Sequence, residues 1–161
     1  MKYLLFFSIL ALLNSCRQKR PDPLSGKTDI PTFKLQVVDK ADTVNSDRIL
    51  RTKKILIVYF SPTCPYCKRE TSEILAHIAD LNQVQIVFLT PMPLDQTKEF
   101  IQQFNLQSYP TIVVAREVDH SFGRSFNPTA IPFLVVCNHL KPLIRLTGLT
   151  DITTLINILR A

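Results

Sequence analysis

Two cysteines, Cys64 and Cys67, stand in the run Ser61-Pro62-Thr63-Cys64-Pro65-Tyr66-Cys67-Lys68-Arg69-Glu70. Thiols at that spacing can close and reopen a disulfide, and the thiolate is the reactive form. The pair follows the apolar run Ile55 to Phe60, which reads as a strand buried on both faces. It precedes Lys68 to Leu81, where Ile74, Ile78 and Leu81 recur at helical spacing. The pattern places Cys64 at a helix N-terminus, where unpaired N–H groups and the helix dipole favour a thiolate. Such a setting lowers a cysteine pKa from about 8.5 to between roughly 3.5 and 7.5. Pro65 suits the first helical turn, where its missing N–H removes no bond. Lys68 and Arg69 add positive charge. Cys67, one turn further in, is more shielded. Two roles follow: Cys64 attacks a disulfide, and Cys67 resolves the mixed disulfide.

The rest of the chain must position that pair. Its 161 residues suit one domain and leave no room for two ordinary ones. Hydrophobic residues at 46% and charged residues at 20% exclude wholesale disorder. Four cysteines are too few for a disulfide-dense miniprotein but enough for one redox pair or one metal site. The net charge of +6 is a mild excess, and no basic patch interleaved with aromatics marks a nucleic-acid partner.

The N-terminus reads as an address. Lys2 precedes an apolar run from Leu4 to Leu13, broken only by Ser8, which is too short for a bilayer span of about 20 residues. It ends Leu13-Asn14-Ser15-Cys16, which resembles a bacterial lipoprotein signal. That resemblance implies cleavage after residue 15 and a lipid on Cys16, the membrane attachment. Asn14 is a less usual residue at its position. Residues 16–31 hold Pro21, Pro23, Ser25, Gly26 and Pro31 and read as a flexible tether. Arg17, Lys19 and Arg20 lie where anionic headgroups would meet them.

Residues 32–161 alternate strand and helix patterns. Phe33 to Val38 alternates as a half-buried strand does, and Val84 to Leu89, Thr111 to Val114 and Ile131 to Cys137 read as further strands. Leu94 to Phe104 forms one helical face. A turn at 138–142 returns Leu143 to Leu146 as a hairpin. Thr150 is expected to cap a last helix, with Ile152, Leu155, Ile156 and Leu159 on one face. The expected fold is an α/β mixed sheet with helices on its faces.

With the cysteine pair in that frame, the sequence resembles the thioredoxin-like superfamily, closest to its membrane-anchored thiol-disulfide oxidoreductase branch (redoxin, TlpA/ResA-like). Three features carry the resemblance across residues 32–161. They are the strand-Cys64-Pro65-Tyr66-Cys67-helix unit, Ala130-Ile131-Pro132-Phe133 before a core strand, and the extra N-terminal strand. The resemblance implies a thioredoxin-like fold with a central mixed sheet, a Cys64–Cys67 disulfide as the redox couple, and a cis Pro132 facing the reactive cysteine. Ile131, Pro132, Pro65 and Tyr66 would receive the partner's chain. It further implies no organic or metal cofactor, a monomer in the cell envelope facing the periplasm or extracytoplasmic space, exported proteins as partners, and electrons from a membrane donor. Two positions depart from thioredoxin: its acid six residues before the first cysteine is here Val58, and its Trp is here Thr63. The proton-handling group is therefore unassigned, and Glu70 is expected to face solvent.

Three other readings draw on the same residues. A thiol peroxidase needs Pro-x-x-x-Thr-x-x before its cysteine; here Ser61 holds the Thr position, and Pro62 and Thr63 do not restore the spacing. A zinc site would draw on Cys64, Cys67, Cys137 and His139, but strand placement should bury Cys137. Val118-Asp119-His120-Ser121 faintly resembles the histidine segment of copper chaperones, yet Gly123 to Thr129 separate it from the next strand. His77, His120 and His139 read as surface or hairpin residues. A non-catalytic interaction module on a tether would not need an intact cysteine pair.

Overall fold

The computed structural model describes residues 22–23, 30–38, 42–50, 52, 54–139 and 141–161. The signal segment 1–15, Cys16 and the basic residues beside it lie outside these. The strand that leads into the cysteine pair, β4 (Lys54–Tyr59), lies within an eight-stranded sheet. β5 (Gln85–Thr90) pairs parallel to it on one side, and β7 (Phe133–Asn138) antiparallel on the other. β6 (Ile112–Glu117) continues parallel beyond β5, followed by β2 (Lys34–Val37) and β3 (Thr43–Asn45), both antiparallel. β8 (Lys141–Thr147) pairs with β7 as the predicted hairpin, and β1 (Asp22–Pro23), inside the segment read as a tether, pairs with β8. The mixed sheet and the extra N-terminal strand match the sequence reading, and β1 and β3 extend it at the two edges. Ile30, also read as tether, is buried in the core.

Alternation along β4 builds two cores. Leu56, Val58 and Phe60 face α1 (Pro65–Ala76), α2 (Leu94–Phe104) and α4 (Ile152–Arg160), packing with Ile74, Phe100, Leu155 and Cys67. Ile55, Ile57 and Tyr59 face the other side, with Phe33, Leu35, Phe122, Phe126 and Cys137. That second side is covered partly by α3 (Ser121–Phe126), a six-residue helix in a stretch where the hydrophobic pattern predicts no element. Val58 and Ile57 are both fully buried, as a central strand requires. Phe60, Phe88 and Phe100 pack edge-on or tilted at ring-centroid distances of 4.6–6.3 Å, the range aromatic clusters prefer.

Two boundaries differ from expectation. The predicted helix through Leu81 is instead α1, ending at Ala76, followed by a tighter turn at Ile78–Leu81. The cap of α4 is Asp151, not Thr150: the Thr154 N–H donates to Asp151 Oδ1 at 2.8 Å. Either residue type can cap a helix. Thr150 is one position too early and spends its N–H elsewhere, as described below.

Candidate active site

Cys64 is the N-cap of α1, in extended conformation, and Pro65 opens the helix. The Cys64 carbonyl accepts the Lys68 N–H at 3.0 Å, starting the helical ladder, and the Cys64 N–H donates to the Ser61 carbonyl at 3.2 Å. The thiol thus sits where the first-turn N–H groups of a twelve-residue helix converge. It is half-buried, whereas Cys67 is only 1% exposed. Cys64, Cys67 and Cys137 are all free thiols. Burial pushes Cys67 up to about 12, the Ser61 backbone pulls it back in part, and the Cys64 thiol and the Glu70 charge add to the rise. The asymmetry gives an accessible thiol and a shielded one that needs help to ionise.

That help points to Glu70, and here the structure corrects the sequence. Glu70 does not face solvent: it is 1% exposed, one helical turn beyond Cys67. The buried residues of α1 are Cys67, Glu70, Thr71 and Ile74, a single face at i, i+3, i+4 and i+7. Burial raises the Glu70 carboxyl to about 7, against a hydrogen bond from the Thr150 N–H at 2.9 Å that lowers it; the Glu73 charge adds to the rise. Val58, where thioredoxin carries an acid, is buried on the same side of the sheet as Cys67. The buried carboxyl near the shielded thiol comes from the helix rather than from the strand.

The Ile131–Pro132 bond is cis. Pro132 is buried and Ile131 half-buried, and the Pro132 carbonyl accepts the Gly148 N–H at 2.8 Å. Phe133, next in the chain, pairs with Tyr59, so Pro132 stands at the same end of the sheet as the cysteine pair. Pro65 is exposed and Tyr66 is 60% exposed, unusual for a large ring.

The alternative zinc set does not assemble. Cys137 is buried on the opposite core from Cys67 and pairs with Ile55, near the start of β4, while Cys64 follows its end. Among the described residues no three His, Cys, Asp or Glu converge as metal ligands. His120 is an exposed residue preceding α3, not a strand.

Residues 49–161 match the family described as a thioredoxin-like domain. The chain belongs to that family. No curated protein matches the sequence. Among solved structures, thioredoxin-like neighbours include a secreted Mycobacterium tuberculosis disulfide oxidoreductase homologous to E. coli DsbE, with a TM-score of 0.65 and 16% identity, covering 80% of this chain and 94% of that one. The yeast mitochondrial 1-Cys peroxiredoxin aligns with a TM-score of 0.69 and 12% identity over 86% of this chain and 76% of that one. Copper-bound ScoI from Arabidopsis thaliana aligns with a TM-score of 0.64 and 14% identity over 81% and 95%. At these identities the likeness is one of fold, and three different chemistries share it. The residues at the site have to choose among them.

Proposed function

We propose that this thioredoxin-like protein is a thiol-disulfide oxidoreductase that reduces disulfides in exported proteins. The observation that carries it is the asymmetric pair: Cys64 accessible at the N-terminus of α1, and Cys67 buried one turn behind it with a buried carboxyl on the same helix face. In the reducing direction Cys64, as thiolate, attacks one sulfur of a partner disulfide. That S–S bond breaks, the leaving sulfur takes a proton from solvent, and a mixed disulfide remains. Cys67 gives its proton to Glu70 and attacks Cys64 Sγ. The partner's second sulfur leaves and is protonated, and the chain keeps a Cys64–Cys67 disulfide. Two electrons have moved to the partner. A dithiol reductant on the membrane restores the pair by the reverse exchange.

Pro65, Tyr66 and Ile131 form the surface against which the partner's chain lies, and the buried cis Pro132 sets the backbone beneath it. Cys16 carries a lipid, and the protein works from the cell envelope on the extracytoplasmic side. The secreted disulfide oxidoreductase among the structural neighbours supports that setting. No helix among the described residues is long and apolar enough to cross a membrane. The test is exchange with a disulfide-bonded peptide. The wild-type dithiol should reduce it stoichiometrically, and Cys64→Ser should not react. A wild-type protein that leaves the peptide oxidised overturns the proposal. Cys16→Ala should move the protein out of the membrane fraction; unchanged fractionation removes the lipid anchor.

A further inference from the structure

The segment Gly148-Leu149-Thr150 has two backbone bonds that lead to different parts of the site. At one end the Gly148 N–H donates to the Pro132 carbonyl at 2.8 Å. Two residues on, the Thr150 N–H donates to Glu70 Oε2 at 2.9 Å. The segment therefore bridges the loop on which a partner would lie and the carboxyl on the helix of Cys67. Gly148 adopts a φ of +79°, a conformation that favours glycine. Asp151 then caps α4, so the far end of the bridge is pinned as well. Leu149, between the two bonds, is 38% exposed. It borders a groove of about 260 Å³ with Arg69 and Glu73 of α1 and with Thr150, Asp151 and Ile152.

We infer that Gly148–Thr150 is a strap that positions the Glu70 carboxyl and links it to the Pro132 loop, with the Thr150 N–H as the positioning group. The inference rests on the reading of Glu70 as the proton acceptor for Cys67. Its physical basis is that an N–H aimed at a carboxylate favours the ionised form. The bond strengthens when Glu70 ionises, and the strap carries that change toward Pro132. A partner pressing on the Pro132 loop or on Leu149 would act on Glu70 by the same route. The titratable groups that act on the carboxyl are Glu73 and Cys67 from its own helix, and Arg69 and Asp151 line the neighbouring groove with Thr150.

The first test uses the unmodified, reduced protein. Glu70 ionisation is followed by NMR of its side-chain carboxyl carbon from pH 4.5 to 9, together with the Thr150 and Gly148 amides. Both amides should titrate with the Glu70 midpoint, Thr150 with the larger amplitude. A Thr150 amide that ignores that midpoint overturns the strap, and so does a Gly148 amide that does. The second test compares Thr150→Pro, which lacks the N–H, with Thr150→Ala, which keeps it. The Glu70 midpoint should rise by about one pH unit or more in the Pro variant, as loss of a charged hydrogen bond implies, and stay in place in the Ala variant. Equal midpoints in both folded variants overturn the inference. Glu70→Gln separates this from the underlying reading. If it leaves the pH dependence of the Cys67 resolving step unchanged, Glu70 is not the acceptor, whatever the amides do.

Discussion

Glu70→Gln offers the sharpest use of the buried carboxyl. The substitution keeps the shape and an acceptor for the Thr150 N–H while removing the charge. In the folded chain the Glu70 carboxyl is raised from 4.5 to about 7 by burial, with the Thr150 bond opposing and Glu73 adding. Between those values the folded state holds a proton that the unfolded state has released. Stability from this group is therefore complete below about pH 4.5 and is lost as pH rises through about 7. At 1.36 kcal/mol per pH unit the window is worth about 3 kcal/mol. Glutamine does not titrate, so the variant escapes the loss. Relative to wild type, its stability should climb by about 3 kcal/mol between pH 4 and pH 8, with the bend centred between 4.5 and 7. The assay is urea unfolding of both proteins at a series of pH values, with the thiols kept reduced. Groups common to both cancel in the difference. A difference that stays flat with pH would mean that Glu70 ionises in the folded chain as it does in water, and that burial does not raise it.

The other substitutions probe the pair and its supports. Cys67→Ser should stall the reaction with a disulfide peptide as a one-to-one adduct on Cys64, seen by intact mass; free turnover or no adduct contradicts the assigned roles. Tyr66→Ala should lower kcat/KM for a protein disulfide roughly fivefold, about 1 kcal/mol of lost contact, while leaving the glutathione potential in place; an unchanged rate removes Tyr66 from the partner surface. Cys137→Ser buries a hydroxyl where a thiol packs at 1% exposure and should cost about 1–2 kcal/mol in urea unfolding with no change in potential. Asp151→Ala removes the cap of α4 and should cost about 1 kcal/mol in the same assay.

Much of this was legible in the residues because two signals coincide at the site. A continuous apolar strand running into a cysteine pair and a helical pattern has few other readings, and β4, β5, α2 and β7 follow their hydrophobic runs closely. The burial of Cys137 and the exposure of Tyr66 also follow from position alone. Glu70 was misread because Lys68, Arg69 and Glu73 surround it and look like a solvated face. The signal was present: Cys67, Glu70 and Ile74 share one face at i, i+3 and i+7, and Ile74 plainly belongs inside. α3 was hidden by Gly123 and by its length of six residues, too short for periodicity to show. It is held from outside its own sequence. The buried Glu117 carboxylate accepts the Phe122 and Gly123 N–H groups and the Tyr59 hydroxyl. The strap at Gly148–Thr150 joins residues far apart in sequence, so only the fold reveals it.

The proposed function requires that Cys64 and Cys67 form one reversible two-electron couple that runs in the reducing direction. The direct measurement is a glutathione redox titration of the chain carrying Cys137→Ser, with thiol state followed by alkylation and intact mass. The expected outcome is a single two-thiol transition with a potential of about −270 mV, as a thioredoxin-type reductant has. A potential of about −120 mV would mean that electrons flow the other way, and the absence of a two-thiol transition would mean that Cys64 and Cys67 are not a redox couple.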